Sequence, residues 1–188
     1  MTKIILASGS PRRKQLLEWA EINFEVMVSD ADESYPAGLS FEDTAIHIAR
    51  NKALAVQQQC KEKKIILAAD TIVVCNDRII GKPTDKQDAI QILARLSGNT
   101  HKVITGVAIL KGPEEILFAD TTTVVFHEIT SGQIEFYVDK YKPYDKAGAY
   151  AIQEWIGVVG IKSVQGDFYN VMGLPVSLVV QQLKGLEG

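Results

Sequence analysis

The 188-residue chain is 46% hydrophobic and 23% charged, the balance of an ordinary globular protein rather than a disordered or fibrous one. Its net charge of −3 argues against a stable nucleic-acid partner, so any basic site must be local. No apolar run nears the ~20 residues of a membrane-spanning helix, and no signal peptide is recognisable. Cys60 and Cys75 are too few for a disulfide framework or a zinc set, which favours a reducing, cytoplasmic location.

The spacing of apolar residues predicts alternating strands and helices with hairpins between some strands. Strands are predicted at 3–7, 24–28, 65–75, 78–80, 102–110, 115–119, 121–129, 156–164 and 167–172, and helices at 11–20, 41–59, 85–96, 131–140 and 175–184. The expected helix N-caps are Ser10, Ser40 and Thr84, the last paired with Gln87 in a capping box. Because hairpins and helical crossovers both occur, we predict one α/β domain over residues 1–188 with a mixed β-sheet and flanking helices.

The first predicted helix opens with three cations, Arg12, Arg13 and Lys14. This end of a helix is the positive end of its dipole, where each cation costs roughly 0.3–1 kcal/mol. One interpretation is a solvated surface helix. The other is an anion site, because free N–H groups at a helix start bind phosphate and Arg adds charge-assisted hydrogen bonds. Neither GxxxxGK[ST] nor GxGxxG is present, so the pattern is not that of a Walker A or Rossmann loop.

Asp70 interrupts an otherwise apolar strand, where an unpaired carboxylate would cost several kcal/mol. It must therefore be an ion-pair partner, a metal ligand or a cleft residue. Lys52 lies on the apolar stripe of the helix at 41–59, either with its stem buried and its ammonium at the rim or directed at an anionic ligand. Lys82, in the loop before Pro83, is either solvent-exposed or a further cation of such a site.

An acidic cluster, Asp30, Asp32 and Glu33, lies in a polar loop. It is either a solvated loop or a source of oxygen ligands for Mg²⁺, which prefers few carboxylates combined with phosphate oxygens and water. The three histidines match no metal spacing, and we interpret them as structural. Cations and carboxylates on separate loops are together what nucleotide phosphate chemistry needs.

The chain resembles the Maf family of nucleotide pyrophosphatases from Ile5 to Pro175. The resemblance rests on six motifs in order: "LASGSPRRKQLL", "DADE", "ARNKA", "AADTIVV", "GKP" and "GDFYNVMGLP". It implies a mixed α/β fold with a central cleft, related in architecture to the inosine triphosphate pyrophosphatases. It also implies metal-dependent cleavage of nucleoside triphosphates to the monophosphate and pyrophosphate. Members of the family are also named for inhibition of septum formation.

The resemblance assigns a role to individual residues of this chain. Asp70 is the expected proton acceptor, and Arg13, Lys52 and Lys82 are the expected basic residues that hold the phosphates. Glu33 is the acidic partner and, with Asp70, the expected ligand of Mg²⁺ or Mn²⁺. Substrate-binding residues are expected to be Ser8, Arg12, Arg13, Thr71 and Gln153, of which Arg12, Thr71 and Gln153 mark the branch that acts on dTTP and UTP.

These assignments predict a dTTP and UTP pyrophosphatase, with removal of modified pyrimidine nucleotides as an expected role. A Gln amide offers one donor and one acceptor, as the uracil edge does, so Gln153 could recognise that edge. Two rivals stay open: a nucleotidyl transferase, and a septum-formation inhibitor that binds nucleotide as a sensor. Whether the chain forms a homodimer is also left open.

Overall fold

The computed structural model describes residues 3–60 and 64–186. The strands are β1 (Ile4–Leu6), β2 (Phe24–Val26), β3 (Ile66–Cys75), β4 (Arg78–Ile80), β5 (Thr100–Lys111), β6 (Glu114–Phe126) and β7 (Ile161–Gln165). The helices are α1 (Pro11–Trp19), α2 (Phe41–Gln59), α3 (Lys86–Leu96), α4 (Ser131–Tyr141), α5 (Trp155–Gly160), α6 (Phe168–Met172) and α7 (Val176–Leu186). No helix within the described ranges is both long and apolar enough to cross a membrane.

The strands are hydrogen-bonded in the order β2-β1-β3-β5-β6-β7, and β4 pairs with β3. β1 runs parallel to β2 and β3, whereas β4 and β7 are antiparallel to β3 and β6. The predicted mixed sheet of an α/β fold is therefore confirmed. The chain forms two compact units, one from residues up to 71, 105–120 and 173 onward, the other from 72–104 and 121–172.

The core of the first unit lies between α2 and the sheet. Small residues on α2 let it pack closely: Ala49 and Ala53 are fully buried beside Ala68 of β3 and Ala108 of β5. Gly106 of β5 faces the helix so closely that a Cβ there would lie 2.2 Å from the carbonyl carbon of Ala45. Only glycine allows this approach, and it sets the position of α2 on the sheet.

The second unit contains a buried aromatic cluster that includes one of the three histidines. The His101 ring meets the rings of Phe126 and Tyr150 edge to face, and its Nε2 lies 2.7 Å from the Tyr150 hydroxyl. Burial lowers the pKa of His101 to about 4, so this histidine is neutral near pH 7. These contacts support the interpretation of His101 as a structural residue.

Most predicted helix boundaries are confirmed, and one predicted cap is wrong. The hydroxyl oxygens of Ser10 and Ser40 accept hydrogen bonds from the backbone N–H groups of the third residues that follow. At α3 the cap is Asp85 instead of Thr84, because its carboxylate accepts from the N–H of Asp88 at 2.8 Å. A carboxylate at this end also matches the helix dipole.

The prediction was wrong near the C-terminus. The segment 156–164 was predicted as a strand, but its first half forms α5, and Val158 is 81% exposed. The predicted strand 167–172 forms α6, because the Asp167 carboxylate accepts from the N–H of Tyr169 at 2.7 Å and starts a helical turn. A β-branched apolar run indicates a strand only where it is buried, which composition alone does not reveal.

Candidate active site

Asp70 and Thr71 are the only half-buried residues of β3; the other eight are buried. β3 is therefore buried along its length except at Asp70 and Thr71, which are the two residues of this strand that were predicted to belong to the site. The Asp70 side chain is 17% exposed. It is an ion-pair partner, which resolves the question of how a carboxylate is accommodated in this strand.

Lys52 provides that partner from α2. Its Nζ donates to Asp70 Oδ1 at 2.6 Å and lies 2.8 Å from Glu33 Oε1. The rest of the apolar stripe of α2 is buried, as predicted, whereas the Lys52 side chain is 19% exposed. One ammonium therefore joins two carboxylates that lie 37 positions apart in the sequence.

The contacts of Arg13 show how one of the cations in the first turn of α1 is accommodated. Its side chain is turned inward: Nη1 donates to Ser8 Oγ at 3.1 Å, Nη2 to Thr71 Oγ1 at 3.0 Å and Nε to the Gly173 carbonyl at 2.8 Å. These three hydrogen bonds connect the turn after β1, the middle of β3 and the segment before α7. Arg13 thus fixes the relative positions of predicted site residues within the first unit.

The three hydrogen-bond acceptors of Arg13 are neutral, so its buried positive charge has no directly bonded anion among them. Burial lowers the pKa of Arg13, and the nearby charge of Asp70 opposes that shift. The half-buried guanidinium of Arg12 also acts on Arg13, lowering its pKa further. Two adjacent guanidinium groups at a helix N-terminus make a positive region that would attract an anion.

The carboxylates of the acidic loop have different partners. Glu33 contacts Lys52, whereas the Asp32 carboxylate accepts hydrogen bonds from the backbone N–H and hydroxyl of Ser34 at 2.8 and 2.6 Å. Over residues 3–60 and 64–186, no group of three or more His, Cys, Asp or Glu side chains could hold a metal ion. Glu33 and Asp70 could supply only part of a coordination shell. That suits Mg²⁺, whose remaining ligands are usually water and substrate phosphate oxygens.

Two predicted site residues, Lys82 and Gln153, belong to the second unit, and both are exposed. Lys82 lines a cavity of about 750 Å³ within that unit, together with Arg78 and Arg95. The sequence did not predict that Arg78 and Arg95 lie near Lys82. Arg78 is in β4 and Arg95 is in α3, and nothing in their spacing indicates that these two elements meet at one cavity.

A polar network surrounds the segment that carries Gln153. The Tyr137 hydroxyl donates to the Glu154 carboxylate and accepts from the backbone N–H of Ala151 at 3.2 Å. Lys146, only 8% exposed, lies 3.6 Å from the same carboxylate. The network holds both sides of the segment that carries Gln153. No sequence pattern reveals this network, since its members are spread over 18 positions.

Known proteins resemble this chain over almost its full length. The family described as "Maf-like protein" matches residues 3–186. A dTTP/UTP pyrophosphatase of Cytophaga hutchinsonii is 49% identical, with 97% of this chain and 84% of that protein covered. One of Parabacteroides distasonis is 46% identical over 97% of this chain and 95% of that protein. The structure of the Staphylococcus aureus Ham1 protein matches with a TM-score of 0.53 at 16% identity, covering 98% of this chain and 99% of that one, and so supports the fold alone.

Proposed function

Because this chain belongs to the Maf family, we propose that it hydrolyses dTTP and UTP to the nucleoside monophosphate and pyrophosphate. The observation that carries the proposal is the Asp70–Lys52–Glu33 cluster, a half-buried carboxylate in an apolar strand beside a cation and a second carboxylate. The names and identities of the relatives support this substrate choice. The net charge of −3 argues against a stable nucleic-acid partner, and two cysteines, too few for a disulfide framework, support a cytoplasmic location.

In the proposed reaction, Asp70 takes a proton from a water molecule. The water oxygen bonds to the α-phosphorus, the bond between that phosphorus and the α–β bridging oxygen breaks, and pyrophosphate leaves. A positioned general base typically contributes 10²–10⁴-fold to the rate. Lys52 is within hydrogen-bonding distance of Asp70 and adds positive charge where negative charge develops on the phosphates. Arg13 acts at this site by bracing Ser8 and Thr71 and by its buried charge.

Glu33 and Asp70 are the side chains that would hold a divalent metal, Mg²⁺ or Mn²⁺. The hard oxygen donors fit either ion, and both carboxylates already share one cation in the structure. When bound, the ion would neutralise phosphate charge and polarise the phosphorus–oxygen bonds.

The test is a panel of nucleoside triphosphates, each incubated with the purified protein with and without Mg²⁺ or Mn²⁺. We expect dTTP and UTP to yield the monophosphate and pyrophosphate, fastest of the panel, and only when the metal is present. Chromatographic separation of the products checks this. Formation of the diphosphate and orthophosphate would overturn the proposal, and the absence of turnover with every nucleotide would favour a nucleotide-sensing protein instead.

We expect Gln153→Ala to lower kcat/KM for dTTP and UTP by ~5–150-fold, because an unmet polar edge of the base costs ~1–3 kcal/mol. Gln153 is exposed, so its loss should leave folding unchanged. Nucleotides that lack the uracil edge should lose less activity. Steady-state kinetics on both classes check this, and equal losses across the panel would remove Gln153 as the residue that recognises the pyrimidine.

A further inference from the structure

The hydroxyl group of Thr71 lies among three polar groups. Arg13 Nη2 is 3.0 Å from Thr71 Oγ1, Thr105 Oγ1 is 2.9 Å away and the Gly173 carbonyl oxygen is 3.5 Å away. Thr105 is fully buried in β5, and no role was assigned to it from the sequence.

The chemistry of these groups limits how the Thr71 hydroxyl can be oriented. A hydroxyl has one proton and two lone pairs, a guanidinium only donates, and a carbonyl only accepts. Arg13 therefore occupies one lone pair of Thr71. The Gly173 carbonyl, which also accepts from Arg13 Nε at 2.8 Å, can take the Thr71 proton only weakly, because 3.5 Å is long for a hydrogen bond from a hydroxyl to a carbonyl oxygen.

The direction of the hydrogen bond between Thr71 and Thr105 therefore decides how the Thr71 hydroxyl is oriented. If Thr105 donates to Thr71, both lone pairs of Thr71 are occupied and its proton can be directed at a ligand acceptor. If Thr71 donates to Thr105, Thr71 presents only a lone pair. Without Thr105, the Thr71 hydroxyl would be held by Arg13 and only weakly by the Gly173 carbonyl, and its proton could rotate between these states. Thr105 thus controls whether Thr71 acts as a donor.

We propose that Thr105 is a positioning residue for substrate recognition, which holds the Thr71 hydroxyl as a hydrogen-bond donor to an acceptor oxygen of the nucleotide. This inference rests on the proposed function. Thr105 acts only through Thr71 and touches no substrate. Its contribution is made equally in the bound substrate and in the transition state, so its loss should raise KM and leave kcat unchanged.

The experiment compares Thr105→Val, which keeps the shape and removes the hydroxyl, with Thr105→Ser, which keeps the hydroxyl. We expect KM for dTTP and UTP to rise by about 2- to 13-fold in the valine variant, the range of one net hydrogen bond. The serine variant should recover most of this loss. Thr44→Val is the matched control: Thr44 is 2% exposed and its hydroxyl donates to the Ser40 carbonyl at the start of α2, so it should leave KM unchanged.

A double variant shows whether Thr105 acts through Thr71 or stabilises the site independently of it. In a Thr71→Val background, Thr105→Val should have no further effect on KM, because the hydroxyl through which it acts is already absent. Additive effects, or a KM for Thr105→Val equal to that of Thr44→Val, would overturn the inference. Should the valine variant fold poorly, Thr105→Ala, which also removes the hydroxyl, supplies the same comparison in both backgrounds. Failure of the wild-type protein to hydrolyse dTTP or UTP would instead overturn the proposed function, and the two failures are therefore distinguishable.

Discussion

Asp70→Asn is expected to lower kcat for dTTP by at least ~10²-fold, the lower end of what a general base contributes. The amide has nearly the same volume but cannot accept the proton of the attacking water. We expect the fold to persist, because Lys52 keeps Glu33 as a partner at 2.8 Å and the amide oxygen can still accept from it. Kinetics and thermal unfolding measured on the same preparation check both parts.

Glu115→Gln is the matched control for this variant. It also replaces a carboxylate by an amide in a close ion pair of the first unit, since Arg50 Nε lies 2.6 Å from Glu115 Oε2. We expect it to leave kcat unchanged. If Asp70→Asn lost thermal stability and kept its activity per folded molecule, Asp70 would be a structural ion-pair residue and not the base.

Gly106→Ala is expected to destabilise the protein by about 3 kcal/mol, the upper part of the usual range for overpacking. The new Cβ would meet backbone atoms of Ala45 and Ile46 at 2.2–2.4 Å, and backbone cannot move aside as a side chain can. Alanine otherwise favours an extended strand over glycine by roughly 0.5–1 kcal/mol, which is too little to offset the clash. For a chain of this size the expected fall in Tm is roughly 6–12 °C.

The same substitution also bears on activity, because α2 carries Lys52 and would have to shift. We therefore expect kcat to fall together with Tm. Gly132→Ala is the control: a Cβ there meets nothing within 4 Å, and alanine is the better residue inside α4. An unchanged Tm for Gly106→Ala would show that the close approach of α2 to β5 does not determine its position.

The periodicity of apolar residues was sufficient to predict the elements that carry the candidate site. The stripe of α2 and the run of β3 are each buried as expected, and Lys52 and Asp70 stood out because they interrupt those patterns. Their contact at 2.6 Å could not be predicted, since it depends on how closely α2 packs on the sheet, which Gly106 controls.

Arg13 shows a second limit of the sequence. Charge at the start of α1 was compatible with a solvated surface helix or an anion site, and a charge pattern does not reveal whether a guanidinium points out or in. The structure shows it directed inward to Ser8, Thr71 and the Gly173 carbonyl. The carbonyl is a backbone group 160 positions away, for which no side-chain pattern exists. Thr105 was missed for a similar reason, since a single threonine is common in strands.

In the proposed reaction, water activated by Asp70 attacks the α-phosphorus. Hydrolysis of dTTP in oxygen-18-labelled water tests it directly, because attack at either the α- or the β-phosphorus gives the same two products. We expect the label in the monophosphate and none in the pyrophosphate, by mass spectrometry of the separated products. Label in the pyrophosphate would contradict this account, since it would place the attack at the β-phosphorus.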